Sequence, residues 1–231
     1  MKKQNSKIHA IILARGNSKG IRLKNLVKVN NRPLIYWTIR DCLKSSRIKH
    51  VWISTDNKMI ADYAKKIGAK IIWRPENLAL DNSTSEDGWL HAINEIEKMD
   101  SIESAMLLQA TSPVRGYKDI NQSINYFFKN NLDSLFSSCE VLGHYNWEMR
   151  KNSIKPLYDI NKRLMRQKIQ PQLNENGSFY IINTKKFKKF QTRVFGNIGS
   201  FKQDFYKGFE IDEKEDINFL TNILKIYKNK L

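Results

Sequence analysis

The chain has little of what would place it in several common classes. It has only two cysteines, Cys42 and Cys139, and neither belongs to a C-x-x-C pair. A disulfide framework and a cysteine-based zinc site are therefore excluded, and a reducing, cytosolic compartment is the expectation. No apolar run approaches the roughly 20 residues that a membrane span requires, so no membrane association is expected. MKKQNSK at the N-terminus is charged, yet no signal-peptide pattern with a small-residue cleavage site follows it. The phosphate-binding patterns G-x-x-x-x-G-K-[ST] and G-x-G-x-x-G are both missing. No histidine or carboxylate stands out as a general base. Acidic residues are outnumbered 23 to 40 by Lys and Arg, giving a formal charge of +17. That excess fits an anionic ligand. The basic residues are scattered, however, and those from Lys185 to Lys189 read as a solvated face rather than a nucleic-acid tract.

What is present is a core and an alternation. Hydrophobic residues make up 41% of the 231 positions, enough for one domain spanning 1–231 and too many for wholesale disorder. Ile8 to Ala14 is a nearly continuous apolar run, as expected of a strand buried on both faces of a parallel sheet. Pro33 to Ser46 reads as a helix, with Ile35, Thr38, Ile39 and Cys42 on one stripe and Arg40, Asp41 and Lys44 off it. Trp37 falls on the far side of that stripe and should pack against something else. Val51–Ser54, Lys70–Trp73, Ala105–Gln109, Ser134–Cys139 and Ser178–Asn183 read as strands. Lys58–Ile67, a segment from Ser83 to about Met99 with Leu90, Ile93 and Ile96 inward, and Tyr117–Asn130 read as helices between them. A closing amphipathic helix runs from Glu215 to Asn229. Such alternation predicts a mainly parallel α/β sheet whose ligand sits beyond the carboxyl ends of the strands.

Four stretches at that edge carry chemistry. Arg15-Gly16-Asn17-Ser18-Lys19-Gly20, followed by Arg22, Lys24 and Asn25, is either a basic surface loop or a cradle for an anion such as a triphosphate. In the second, Arg74 to Asp87, Ser83 and Glu86 have capping-box spacing, while small hydroxyl residues there can also read the edge of a base. Gln109-Ala110-Thr111-Ser112-Pro113-Val114-Arg115 is a turn fixed by Ser112-Pro113 or a polar reader at a strand end. In Gly208-Phe209-Glu210-Ile211-Asp212, an extended backbone puts Glu210 and Asp212 on one face. They form either an acidic strand edge or a pair of ligands for Mg²⁺.

The first motif closely resembles the N-terminal signature of the acylneuraminate cytidylyltransferases, and the resemblance runs from about Ile8 to Ile217. It implies a three-layer, Rossmann-like nucleotidyltransferase sheet and transfer of CMP from CTP to an acidic nine-carbon sugar of the sialic-acid type. In that reading Arg15, Lys19, Lys24 and Asn25 hold the triphosphate, while Arg74, Ser83 and Ser85 hold the cytosine. Gln109, Arg166, Gln167 and Tyr180 face the sugar. Asp212, with Glu210 beside it, binds Mg²⁺ or another divalent cation; Glu210 departs from the Asp-x-Asp of many relatives. The irregular, aromatic-rich stretch from Glu140 to Glu175 is implied to be a small excursion that pairs two subunits as a homodimer. Lys168 to Leu173 departs from common versions of it. Two alternatives remain at this point: a nucleotidyltransferase for another sugar, such as the related eight-carbon keto acid, and a basic nucleic-acid-binding module.

Overall fold

The computed structural model describes residues 6–17, 20–141 and 145–227. In chain order its elements are β1 (Ile8–Leu13), β2 (Lys28–Val29), β3 (Arg32–Pro33), α1 (Leu34–Lys44), β4 (Ile48–Thr55), α2 (Lys58–Lys66), β5 (Lys70–Trp73), α3 (Ser85–Glu97), β6 (Ser104–Gln109) and α4 (Tyr117–Lys129). They continue with β7 (Ser134–Val141), β8 (Trp147–Arg150), β9 (Ser153–Pro156), β10 (Gln172–Asn183), α5 (Thr184–Phe190), β11 (Ile198–Gln203) and α6 (Lys214–Tyr227). The central sheet has seven strands in the order β11-β7-β10-β6-β1-β4-β5. Every neighbouring pair is parallel except the two made by β10, which runs against β6 and β7.

Period-two alternation along β1 divides the core between two faces. Ile8, Ala10 and Ile12 pack with α1, α2 and α4 through Ile39, Ile60 and Ile124. Ile11 faces the other layer, where Trp89, Ile93 and Phe187 come from α3 and α5. The result is three layers, helix on sheet on helix. On α1, Ile35, Thr38, Ile39 and Cys42 are all buried. Trp37, on the far side, packs in a separate cluster with Val29, Ile211 and Leu220 of α6 and donates from Nε1 to the Val29 carbonyl at 3.0 Å. Asp41 is buried rather than solvated, because Arg40 folds over it with two hydrogen bonds of 2.8 Å.

Three expectations are corrected. The cap of α3 is Thr84, whose hydroxyl accepts from the Asp87 amide, and not Ser83. On that helix Ile93 and Ile96 are fully buried as expected, but Trp89 takes the inward place expected of Leu90, which is only partly covered. Among the described residues from 140 to 175, the chain forms more regular structure than its mixed composition suggested. Gln172 to Glu175 zip against Ser138 to Val141, and β8 and β9 form a hairpin beyond them.

At the amino-terminal edge of the sheet, Trp52 Nε1 donates to His9 Nδ1 at 2.9 Å, and His9 Nε2 faces the Ser101 carbonyl and Asp100. Lys49 and His50 also face this group. Burial holds His9 below the ordinary 6.5, with Asp100 opposing, and burial lowers His50 in the same direction. The unfolded chain therefore binds these protons more readily, so stability is complete above the ordinary value and declines as pH falls through it. Asp41, pushed up to about 6 by burial, contributes oppositely below that pH. Thermal melts between about pH 7.5 and about pH 6 should show a shallower fall for His9→Gln than for the parent. Parallel slopes would show that His9 does not carry the dependence.

Candidate active site

β1 leads by crossover to β4 on one side, while the parallel strand β6 joins it on the other, so the order of strand addition reverses between β1 and β6. Loops leaving two such strands part, and a crevice opens at their carboxyl ends. A cleft of about 460 Å³ lies there, bounded by Leu13 and Arg15 after β1 and by Gln109 and Thr111 after β6. Arg74, Ser83, Thr84, Ser85 and Trp89 form a second wall, and Lys24, Asn25, Asp212 and Glu213 close a third side. Three of the four sequence motifs contribute side chains that meet around the end of the fourth, at Gln109.

The opening loop is built on close approach. A Cβ on Gly16 would lie 2.8 Å from Asn57 Nδ2, and one on Gly20 would lie 2.7 Å from the Asp212 carbonyl oxygen. The Gly16 amide donates to Asp56 Oδ1 at 2.8 Å, and buried Asn25 donates to the Arg15 carbonyl at 3.1 Å, fixing the loop from both sides. Arg15 spans the cleft mouth to the Leu80 carbonyl and to Asp81 Oδ1, each at 2.9 Å. Lys24 Nζ donates to the Ile211 carbonyl and to Asp212 Oδ1, both at 3.1 Å. Both cations are thus held by short protein contacts that an incoming anion can exchange. Ser18 and Lys19, the latter expected in the triphosphate cradle, lie outside the described residues.

Arg74 is nearly covered. Its Nε and Nη2 donate to the Ser54 hydroxyl and carbonyl at 3.0 and 2.7 Å. Burial lowers its guanidinium to about 10, with Asp56 opposing, so it remains charged at neutral pH. Ser83 donates to the Asn77 carbonyl at 2.9 Å, and Ser85 opens α3.

Backbone from Phe209 to Asp212 carries the acidic pair as expected from alternation: Ile211 is fully buried and Phe209 packs beside it. Glu210 lies partly covered, accepts from the Ser112 hydroxyl at 3.3 Å and crowds Gly177, where a Cβ would meet its Oε1 at 2.5 Å. Burial first, and then the Asp212 charge, raise the Glu210 carboxyl above its ordinary value. Asp212 is 69% exposed at the cleft edge.

Arg115 lies wholly beneath the site. Its Nη1 donates to the Ser178 carbonyl and, at 3.0 Å, to the Ser178 hydroxyl; its Nη2 donates to the Gln109 carbonyl and, at 2.9 Å, to Thr38 Oγ1. It ties β6, β10 and α1 together under Gln109.

Not every predicted contact lies in the cleft. Tyr180 is 2% exposed and its hydroxyl donates to Glu175 Oε1 at 2.5 Å, placing it behind Trp89 and outside the cleft lining. Arg166 and Gln167 sit on a short exposed turn of the excursion, also outside it. Conversely, Leu78, Leu80, Asp81, Trp89 and Glu213 line the cleft without having been singled out. For Trp89 a signal existed: a tryptophan one turn into a helix whose start was already a candidate base reader.

Structural comparison first shows the nucleotidyltransferase fold. A CMP:2-keto-3-deoxy-manno-octonic acid synthetase complexed with CTP superposes with a TM-score of 0.74 at 14% identity, covering 96% of this chain and 99% of that one. A 4-diphosphocytidyl-2C-methyl-D-erythritol synthase from Anaerococcus prevotii superposes with a TM-score of 0.66 at 14% identity, covering 96% and 98%. At the sequence level, residues 9–231 match the family described as Cytidylyltransferase. N-acylneuraminate cytidylyltransferase A of Danio rerio is 34% identical over 223 residues, 92% of this chain and 49% of that protein. The Streptococcus agalactiae N-acylneuraminate cytidylyltransferase is 25% identical over 211 residues, 89% of this chain and 50% of that protein. The chain belongs to the cytidylyltransferase family. It spans about half the length of these two relatives. Among the described residues, no helix is long and apolar enough to cross a membrane.

Proposed function

We propose that this chain transfers CMP from CTP to the anomeric hydroxyl of a sialic-acid-like nonulosonic acid, releasing pyrophosphate. The supporting observation is the convergence of Arg15, Lys24, Arg74 and Asp212 on one cleft at the topological switch point of the sheet. The sugar hydroxyl oxygen forms the new bond to the α-phosphorus while the bond to pyrophosphate breaks. Such transfer depends on positioning and charge neutralisation more than on covalent help. Arg15 and Lys24, released from Asp81 and Asp212, take the phosphate oxygens; Asn25 holds the loop that presents them. Arg74 and the Ser83 to Ser85 segment read the cytosine, and Gln109 faces the sugar.

The acidic pair fits a divalent cation. Two carboxylates close enough for one to raise the other's pKa are stabilised by a positive ion between them, and Mg²⁺ commonly completes its shell with water and substrate phosphates. Asp212 is the principal ligand and Glu210 the second. When bound, the ion neutralises charge on the triphosphate and its leaving group.

The excursion presents apolar side chains to solvent, with Met149 88%, Ile154 66%, Leu157 62% and Met165 63% exposed. Surface of this kind marks an interaction site, and a two-fold dimer covers it with a second copy. Arg166 and Gln167, remote from their own cleft, are then offered to the neighbour's. Light scattering at micromolar concentration should give twice the chain mass; a strictly monomeric mass would count against the dimer. Cys42 and Cys139 are unpaired, in keeping with a cytoplasmic reaction.

Product mass spectrometry after incubation with CTP, Mg²⁺ and a panel of nine-carbon and eight-carbon keto-acid sugars tests the assignment. The expected product is the CMP ester of a nonulosonic acid, and formation only with the eight-carbon sugar would overturn the substrate class. Arg15→Ala should raise the KM for CTP about tenfold, the cost of losing one charge-assisted contact of about 1.4 kcal/mol. Parent-level activity at subsaturating CTP would remove Arg15 from the phosphate site.

A further inference from the structure

Trp89 lines the same cleft as Gln109 but comes from α3, in the wall with Arg74 and Ser83 to Ser85. Its ring is 1% exposed and its Nε1 has no hydrogen-bond partner among the described residues. No polar bond therefore fixes the orientation of the indole, which is held by core packing and by one charged neighbour, Arg193, on the loop between α5 and β11. The guanidinium stands 5.1 Å from the Trp89 ring and 5.1 Å from the Tyr180 ring, so it bears on both aromatics. Its Nε and Nη2 donate to Glu86 Oε1 and Oε2 at 2.7 and 2.8 Å, a bidentate fork onto the first turn of α3. Glu86 directly follows Ser85. Tyr180 is held in turn by Glu175, where β10 leaves the excursion. One side chain thus connects the start of α3, the cleft tryptophan and the strand behind it. Its side chain is 26% exposed and that of Glu86 20%, so the fork is largely shielded from water.

We propose that Arg193 is a positioning residue for the cytosine half of the cleft, acting through Trp89 and Glu86. The assignment rests on the cytidylyl-transfer reading above. Arg193 is absent from the cleft lining, and its Nε and Nη2 are committed to Glu86, so it acts on the substrate by setting where the α3 wall stands. Arg15, Lys24 and Asp212 lie on other loops, so the reacting phosphorus and its neutralising charges are untouched. A displaced wall weakens CTP binding and leaves the chemical step alone. Lysine in its place keeps a charge over the two rings but loses the planar fork.

The test is steady-state kinetics with the sugar and CTP varied separately, for the parent, Arg193→Ala, Arg193→Lys and Glu86→Gln, with thermal melts alongside. Expected for Arg193→Ala is a rise in the KM for CTP of about tenfold, with kcat and the sugar KM within about twofold. Arg193→Lys and Glu86→Gln should fall between it and the parent. A loss of melting temperature with an unchanged KM for CTP would make the contact purely structural and overturn the proposal. So would a fall in kcat at constant KM. Should Arg193→Ala not fold, the two conservative variants decide, and a parent-level KM for CTP in both overturns it. A parent that transfers CMP to no sugar overturns this proposal together with the functional reading. An active parent with unaffected variants overturns the positioning role alone.

Discussion

Asp212→Asn is expected to lower turnover by about 10²–10³-fold, the range seen when one preorganised electrostatic stabiliser is removed. The side chain is 69% exposed and its only described ion pair is with Lys24, so the change should cost little stability; exposed substitutions of this kind stay within about 0.5 kcal/mol. The amide keeps the shape of the carboxylate and can still accept from Lys24, but it is a far weaker ligand for a hard cation. Glu210→Gln should be milder. Glu210 is more covered and its carboxyl is already biased toward the protonated form by burial and by Asp212. Neutralising it gives up part of the metal attraction while relieving the repulsion on Asp212, so raised Mg²⁺ should restore part of the rate. Initial rate against Mg²⁺ concentration, measured for each variant, separates the two roles. Should Asp212→Asn keep the parent's metal dependence, the ion is held elsewhere. CTP binding without metal gives a second readout: Asp212→Asn frees Lys24 from an ion pair, so metal-free affinity should hold or rise.

The layers were legible because periodicity decides them. The stripe Ile35, Thr38, Ile39 and Cys42 is buried as spaced, and Trp37 does pack elsewhere. Elements whose existence depends on tertiary pairing were not legible. β11, reading IGSFKQ, has no clean alternation and exists because β7 offers it a parallel edge from Ser134 to Cys139. α5, reading TKKFKKF, looks like a charged surface run, yet buried Phe187, with Thr184 at its start, anchors it beneath α3. The hairpin of β8 and β9 pairs Trp147 and Met149 with Pro156 and Ile154, but these apolar side chains stay largely exposed and join no core that would announce the strands.

At the site, loop motifs gave the residues at the strand ends, since glycines, cations and acids are informative where backbone must approach a ligand. The walls came less fully. Leu78, Leu80 and Trp89 are apolar side chains that also suit a core, so composition alone cannot assign them to a cleft. Arg193 sits in a stretch without periodicity, and only the fold brings it to Glu86, 107 residues away along the chain. Asp41 and Arg115 show a further limit. A charged residue reads as surface unless its partners are known, and theirs lie on other elements or fold back locally.

Arg115 carries the largest expected stability effect. It is buried with its charge, which burial disfavours, while the carboxylates of Asp41, Glu210 and Asp119 oppose that cost. Four hydrogen bonds to Ser178, Gln109 and Thr38 offset the desolvation further, although Nε is left without a partner. Arg115→Met fills similar volume but leaves the Gln109 and Ser178 carbonyls without these donors. Each buried acceptor so orphaned costs about 1–3 kcal/mol, and the field that helps keep Asp41 ionised is weakened as well. Relief of the arginine's own burial returns part of this, so a net loss of about 3 kcal/mol is expected. For a chain of this size each kcal/mol moves the midpoint by about 2–4 °C, which puts the fall in melting temperature at about 6–12 °C. Arg115→Lys should be nearly as damaging, because one ammonium cannot span Ser178 on β10 and both Thr38 and Gln109 on the other side. Since Gln109 hangs from this side chain, the sugar KM should rise in whatever fraction remains folded at low temperature. Melts and kinetics at about 15 °C, near the usual temperature of maximum stability, test both claims. A melting temperature within 2 °C of the parent for Arg115→Met would show that the orphaned carbonyls find other donors and that Arg115 is no strut.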